Sequence, residues 1–579
     1  MKKLLVYMKG NRKECILGPV FKMLEAVFEL FIPLVVAKII DVGIANHDSS
    51  YVIKMTLVMA LLGVVGLCST LVAQYFAAKA SVSFVGRIRY NLFKHISSLS
   101  YTELDELGTS TLITRMTSDT NQIQSGVNLV LRLFTRSPFI VIGAMVMAFT
   151  VDTRSALTFV LAIPVLSIII FGIMSITIPL YKKAQARLDR VVNTSRENLT
   201  GIRVIRAFGL ESAEKEKFHR QTNELAAMQR FVGKISAITN PLTYAVINIA
   251  IALLIYSGAV QVKAGELSAG EVVALYNYMS QILIELIKFA TLIVTTTKAL
   301  ASAKRVEAVF EIKSSQKTEG TLLYNGNEAG VPAVEFKDVS LKYNSSPECS
   351  LENISFKVYP GETVGIIGGT GSGKSSLVNM ITRFYDAHSG QVLINGKPVE
   401  SYDIASLREK IGVVPQATVL FKGTVRDNLK WGDMEADDEA IMSAIDVAQA
   451  RDIIETKGKG LDLVIEEGGK NLSGGQRQRL TIARALVGKP SILILDDSFS
   501  ALDYRTDKLL RQALKGLDFK PTVFTVSQRT ASLQDADKII VLDDGKIVGM
   551  GTHKELLDTC EIYAEIHASQ GAGRRSNEE

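Results

Sequence analysis

Long, nearly unbroken apolar runs fill the first half of the chain and disappear from the second. Up to about Thr297 these runs carry few charges, whereas the remainder alternates short apolar strands with charged and glycine-rich segments. A helix needs roughly 20 mainly apolar residues to cross a bilayer. Six segments offer that, at about 16–44, 52–78, 127–150, 155–180, 235–262 and 271–297. An even number of crossings returns the chain to its starting side. The connections after the first, third and fifth segments are short, at 45–51, 151–154 and 263–270. Those after the second and fourth are long and rich in cations, among them Arg87, Arg89, Lys94, Lys182, Lys183, Arg187 and Arg190, which places them on the cytoplasmic side. Both keep helical periodicity, so the helices are predicted to run on beyond the bilayer, where a cytoplasmic domain can touch them.

Composition sharpens this division. At 579 residues the chain exceeds one ordinary domain, and its 47% hydrophobic content lies mostly in one half. The expected organisation is an amphipathic helix at 1–14, a transmembrane domain at 15–310, a linker at 311–333, a soluble domain at 334–570 and a disordered tail at 571–579. Lys2, Lys3, Lys9, Arg12 and Lys13 suit a helix lying on the cytoplasmic membrane surface, beside lipid head groups. The net charge of +6 is small for this length and forms no single basic face, so nucleic acid is not an expected partner. Cys15, Cys68, Cys349 and Cys560 have no metal-ligand spacing and are expected as isolated thiols.

The soluble half carries the chemistry. Gly368, Gly369, Thr370, Gly371, Ser372, Gly373, Lys374 and Ser375 follow a strand, TVGIIG, and open a helical pattern, SSLVNMITRF. That is the context of a phosphate-binding loop: successive backbone N–H groups and the helix N-terminus cradle phosphates. Lys374 offsets charge on the β and γ groups, Ser375 can ligate Mg²⁺, and the ATP-binding set runs on through Ser376. Further along, SILILD is an apolar strand ending in Asp496, as needed to hold Mg²⁺ at a strand's exposed end.

A third element points to a family. Leu472, Ser473, Gly474, Gly475 and Gln476, followed by RQRLTIARAL, resemble the signature of ATP-binding cassette (ABC) proteins. In that family the signature contacts the γ-phosphate bound by the opposite cassette. The resemblance implies Tyr343 as an adenine-stacking aromatic, Gln416 as a metal ligand in the loop that reports nucleotide to the membrane domain, and Ser500, Ala501, Leu502 and Asp503 as the crossing loop. It extends to the membrane half through FELFIPLVVAKIID, ELGTSTLITRMTSD and ENLTGIRVIRAFGLE, which look like the first helix and two cytoplasmic loops of exporters with fused domains. The fold class it implies is a six-span α-helical exporter domain of the type IV ABC kind plus an α/β P-loop nucleotide-binding domain. Short coupling helices are implied in the cytoplasmic loops.

Two positions depart from the family pattern. Where an active cassette has the Glu that polarises water and the His that contacts the γ-phosphate, this chain has Asp497 and Gln528. Aspartate is one methylene shorter, and misplacing a catalytic group by about 1 Å can cost roughly a hundredfold. Glutamine cannot become cationic. With the signature intact, these departures imply the slow-site half of a heterodimeric multidrug exporter, whose partner half-transporter supplies the Glu and His. Its substrate would be an amphipathic small molecule leaving the cytoplasm or inner leaflet, its cofactors ATP and Mg²⁺, and its site a bacterial cytoplasmic membrane with cassette and both termini inside. A homodimeric lipid or peptide exporter, an ATP-gated regulatory or channel-like subunit, and a metal-chelate importer stand as alternatives.

Asn277, Gln281, Glu285 and Lys288 recur at helical spacing on the sixth segment and share one face. Polar groups facing lipid are costly, so this face should meet a cavity or another helix. Arg132 and Arg136 on the third segment, and Glu25 and Glu29 on the first, are also four apart. Cavity lining, helix locking and head-group contact are all compatible with that spacing.

Overall fold

The computed structural model describes residues 3–316, 320–344, 346–456 and 459–575. Two compact units divide the chain, Met1–Ser97 with Ser110–Glu311, and Ser98–Thr109 with Ile312–Glu579.

The first unit is a bundle of long helices. Among the described residues, five helical stretches are long and apolar enough to cross a membrane: Ser49–Ser97, Thr109–Val151, Thr153–Thr200, Glu211–Ala264 and Ala269–Glu311. The helices Ser49–Ser97 and Thr153–Thr200 have 49 and 48 residues, more than twice a bilayer's requirement, in keeping with the predicted continuation past the apolar segments. The segment expected first, at 16–44, is not among the five. It forms the helix Arg12–Lys38, followed by a π-helical turn over Ile39–Ile44. Its charges, Lys22, Glu25, Glu29 and Lys38, set it apart by composition. Its buried positions Gly18, Lys22, Ala26, Leu30, Pro33 and Ala37 recur every three or four residues and give one face to the bundle. Lys22 is buried there and paired with Glu25.

Three boundaries differ from the sequence expectation. The surface helix is a short 3₁₀ segment, Leu4–Asn11, and Arg12 already opens the long first helix; Lys3 pairs with Glu311 at 2.5 Å. Of the segment expected as a linker, residues 320–333 belong to the second unit and pack within it, and 317–319 lie outside the described residues. Leu322 bridges to Tyr402, and the Tyr324 hydroxyl donates to Asn327 Oδ1 at 2.7 Å. Asn327 in turn donates to Ser491 O and Thr522 Oγ1, both at 3.0 Å, so distant residues of the second unit take up polar groups of this stretch. The last helix, Glu561–Arg575, runs into the stretch expected to be disordered, and the final four residues lie outside the described ones.

The second unit contains a six-stranded sheet in the order Lys546–Gly551, Lys538–Asp543, Thr363–Gly368, Thr522–Val526, Ile492–Asp496, Ile411–Val414. All neighbours run parallel except the antiparallel edge strand Lys546–Gly551. Every residue of Ile492–Asp496 and Thr522–Val526 is buried, which is why residues 492–495 appear in the sequence as an apolar run rather than an alternation. A four-stranded antiparallel sheet joins it, with Val334–Leu341 between Leu351–Val358 and Ser389–Ile394. The stacked rings of Phe336 and Phe356, 4.6 Å apart, belong to the core beneath this sheet. Parallel register decides the site: Val526 stands opposite both Ile366 and Asp496, so three distant chain segments end at one edge. Ligands of parallel α/β sheets bind at that carboxyl edge.

Candidate nucleotide-binding site

At this edge a cleft of about 230 Å³ is lined by Ser350, Thr370, Gly371, Gly373, Lys374, Ser375, Ser376, Gln416, Asp496, Asp497, Val526, Ser527 and Gln528. The phosphate loop reaches it through left-handed glycines, Gly371 at φ +87° and Gly373 at φ +92°, after which Lys374 opens the helix Lys374–Ile381. Lys374 Nζ donates to Gly369 O at 2.5 Å and Gly368 O at 3.1 Å. Gly368, Gly369 and Ser372 build the loop without lining the cleft. A Cβ on Gly373 would stand 2.7 Å from both Leu351 Cδ2 and Ser350 O. Gly373→Ala should therefore cost about 1–2 kcal/mol in backbone strain alone, and weaken Mg-ATP binding at least about tenfold; nucleotide titration of the purified chain checks this.

Electrostatics suit a polyanion and a hard cation together. Burial pushes the Lys374 ammonium down from its ordinary value, and the charges of Asp496 and Asp497 oppose that. Burial pushes the Asp496 carboxyl up, the neighbouring Asp497 adds to this, and the Ser375 hydroxyl and Lys374 oppose it. Ser375, Gln416 and Asp496 bring hydroxyl, amide and carboxylate oxygens to one cleft, a donor set that fits Mg²⁺.

Asp497 and Gln528 both line this cleft, brought together by the sheet. Asp497 holds φ +47°, a region that Asp tolerates better than most residues, and its N–H donates to Val526 O at 3.0 Å. Tyr343 stands beside the cleft rather than lining it. Its hydroxyl donates to Ser376 Oγ at 2.9 Å, its ring meets Tyr385 edge-on at 5.0 Å, and burial raises its pKa.

The signature lies outside the cleft. Ser473 caps the helix Gly474–Val487 in a reciprocal box: Gln476 N donates to Ser473 Oγ at 3.3 Å, and Ser473 N to Gln476 Oε1 at 3.0 Å. This box holds the helix N-terminus in shape while Leu472 is buried behind it. A Cβ on Gly475 would stand 3.1 Å from Ala501 O, so the signature lies against the crossing loop. In that loop Ser500 Oγ donates to Asp497 O at 2.9 Å, Leu502 is buried, and Asp503 caps the helix Tyr504–Lys515 by accepting from Thr506 N at 3.1 Å. The crossing loop thus ties the signature side of the cassette to the backbone of Asp497.

The short helices Tyr101–Leu107 and Ile202–Ala207 occupy the two long connections of the membrane half. Tyr101–Leu107 packs within the second unit: Tyr385 Oη donates to Asp105 Oδ2 at 2.6 Å, and Ser315 N to Glu103 Oε1 at 3.1 Å. In the bundle, Arg136 and Glu285 do not face open space. They are 5% and 2% exposed and bonded to each other at 2.5 Å. Lys288 Nζ donates to Glu285 Oε1 at 2.8 Å, whereas Asn277, Gln281 and Arg132 are partly exposed. Sequence reasoning missed Ser350, Val526 and Ser527 in the cleft. Ser527 adjoins Gln528 and could have been found by adjacency, but nothing local marks Ser350.

Residues 15–286 match the model of the ABC transporter transmembrane region, and 351–500 that of the ABC transporter domain. The chain is therefore a half-transporter, one membrane domain fused to one cassette, and it belongs to the ABC transporter family as an exporter-type member. It is 35% identical over 578 residues, the whole of both chains, to an uncharacterized ABC transporter ATP-binding protein, YfiB, of Bacillus subtilis. It is 30% identical to the ATP-dependent lipid A-core flippase of Escherichia coli K12, over 96% of this chain and 95% of that one. The solved structure of a bacterial Atm1-family ABC exporter with ATP bound superposes with a TM-score of 0.78 at 23% identity, covering 96% and 98% of the two chains, and shares the fold. ATP binding by the cassette and ATP-driven transport across a membrane follow from the family.

Proposed function

We propose that this chain is the degenerate-site subunit of a heterodimeric exporter that moves amphipathic, drug-like molecules out of the cytoplasm or inner leaflet of a bacterial cytoplasmic membrane. The observation that carries this reading is the joint presence of Asp497 and Gln528 in one cleft with Lys374 and Asp496, beside an undamaged signature. The loop amides and Lys374 hold the phosphates, and Ser375, Gln416 and Asp496 would hold Mg²⁺, whose charge stabilises the phosphoryl group in transfer. Asp497 is placed to orient the attacking water, but with a short reach. Ser473, Gly475 and Gln476 complete the partner's site, where most hydrolysis takes place. Closure of the two cassettes on ATP passes through the loop helices to the membrane bundle.

A second reading, an assembly of two copies that exports lipid, is favoured by the full-length similarity to the lipid A-core flippase. Co-purification with candidate partner half-transporters separates the two. In the assembled pump Asp497→Asn should leave turnover nearly unchanged, whereas Glu→Gln at the partner's corresponding position should abolish it. The reverse result would assign the catalytic labour to this chain.

A further inference from the structure

The C-terminal helix Glu561–Arg575 reaches the loop that carries Gln528. The Gln570 carboxamide grips this loop on both sides of Arg529: Nε2 donates to Gln528 O at 2.7 Å, and Oε1 accepts from Thr530 N at 2.9 Å. Thr530 Oγ1 also lies 3.0 Å from Gln570 Oε1 and 3.0 Å from His567 Nδ1. A hydroxyl has one proton to give; if it goes to Gln570, His567 donates from Nδ1.

The other side of the loop is tied to the sheet and the crossing loop. Ser527 N donates to Ile366 O at 3.0 Å, in the strand that feeds the phosphate loop, and Arg529 Nη2 donates to Ser500 O at 3.5 Å. The helix itself is firmly rooted. Tyr563 is fully buried in a cluster with Ile367, Leu533 and Leu556, and its hydroxyl meets His553 Nδ1 at 2.7 Å. Gln528 therefore leaves the backbone between one anchor on the phosphate-loop strand and another on the C-terminal helix.

We propose that Gln570 is a positioning residue for the nucleotide site: through its carboxamide the C-terminal helix sets how far Gln528 stands into the cleft, and so how well the site distinguishes ATP from ADP. A carboxamide suits the task because the loop offers an acceptor and a donor two residues apart, and only a group with both can take them together. This rests on the reading of Gln528 as the γ-phosphate contact.

The test measures Mg-ATP and Mg-ADP affinities of the full-length chain in lipid nanodiscs for Gln528→Ala, Gln570→Ala, the double variant and Gln570→Glu. Gln570→Ala should weaken ATP binding about three- to tenfold, the range of one or two lost hydrogen bonds, and spare ADP. The double variant should be no weaker for ATP than Gln528→Ala alone. Gln570→Glu keeps an acceptor for Thr530 but sets a carboxylate oxygen against Gln528 O in place of the donor, and should weaken ATP binding at least as much as Gln570→Ala. Equal losses for ATP and ADP, or full additivity in the double variant, would overturn the positioning role while leaving the reading of Gln528 intact. If Gln528→Ala leaves ATP affinity unchanged, that reading fails and the inference with it.

Discussion

Arg136→Met is expected to destabilise the membrane unit by about 3–5 kcal/mol, the cost of leaving buried charge without its partner. Arg136 Nη1 donates to Glu285 Oε1 at 2.5 Å and Nη2 to Glu29 Oε2 at 2.5 Å, while Nη2 stands 3.7 Å from Glu25 Oε1. Ser137 Oγ donates to Glu285 Oε2 at 2.8 Å, and Lys22 and Lys288 pair with Glu25 and Glu285. Three cations thus face three carboxylates across the helices Arg12–Lys38, Arg136–Val151 and Ala269–Glu311. Removing Arg136 leaves Glu29 with no cation among these contacts and Glu285 with Lys288 alone. The double variant Arg136→Met with Glu285→Gln should recover part of the loss, because the buried carboxylate goes with its counter-ion. Thermal melting in lipid nanodiscs checks both. A single variant that melts as the wild type does would show that the pairing does not hold the helices together.

Asp497→Glu combined with Gln528→His should raise ATP turnover of the chain purified alone by roughly a hundredfold. Both side chains already line the cleft that holds Lys374 and Asp496, so the change alters reach and charge rather than placement. Glutamate adds the missing methylene, and histidine adds a group that can become cationic at the γ-phosphate. The backbone at position 497, at φ +47°, should cost Glu somewhat more than Asp, a strain expected to offset only part of the gain. Each single variant should gain less than the pair, because water orientation and γ-phosphate charge act in one step. Steady-state hydrolysis of the four proteins decides the matter. Wild-type turnover equal to that of the double variant would favour the assembly of two identical, active copies.

Much of the molecule is legible in its sequence. The phosphate loop, the strand ending in Asp496 and the signature are short, local patterns, and each folds into the element its residues dictate: left-handed glycines before a helix, a buried parallel strand, and a Ser-Gln box at a helix start. The first bundle helix was expected from its apolar positions, although its charges separate it from the five clear spans. The polar stretch at 311–333 reads as a linker in the sequence, but among its described residues Asn327 is met by the distant partners Ser491 and Thr522. The last helix, Glu561–Arg575, carries on for five residues into the stretch expected to be disordered, and it is rooted by Tyr563, whose burial no local pattern announces.

The sequence by itself determined the two-part architecture, the class of chemistry and the departures at Asp497 and Gln528, because hydrophobic periodicity and glycine-dependent turns are encoded within a few neighbouring residues. Only the tertiary structure decided that Asp497 and Gln528 share one cleft with Lys374, that Arg136 and Glu285 neutralise each other inside the bundle, and that Gln570 reaches the loop of Gln528. Each of these depends on strand register or helix packing between segments far apart in the chain, and the free energy that fixes such contacts comes from burial rather than from local sequence.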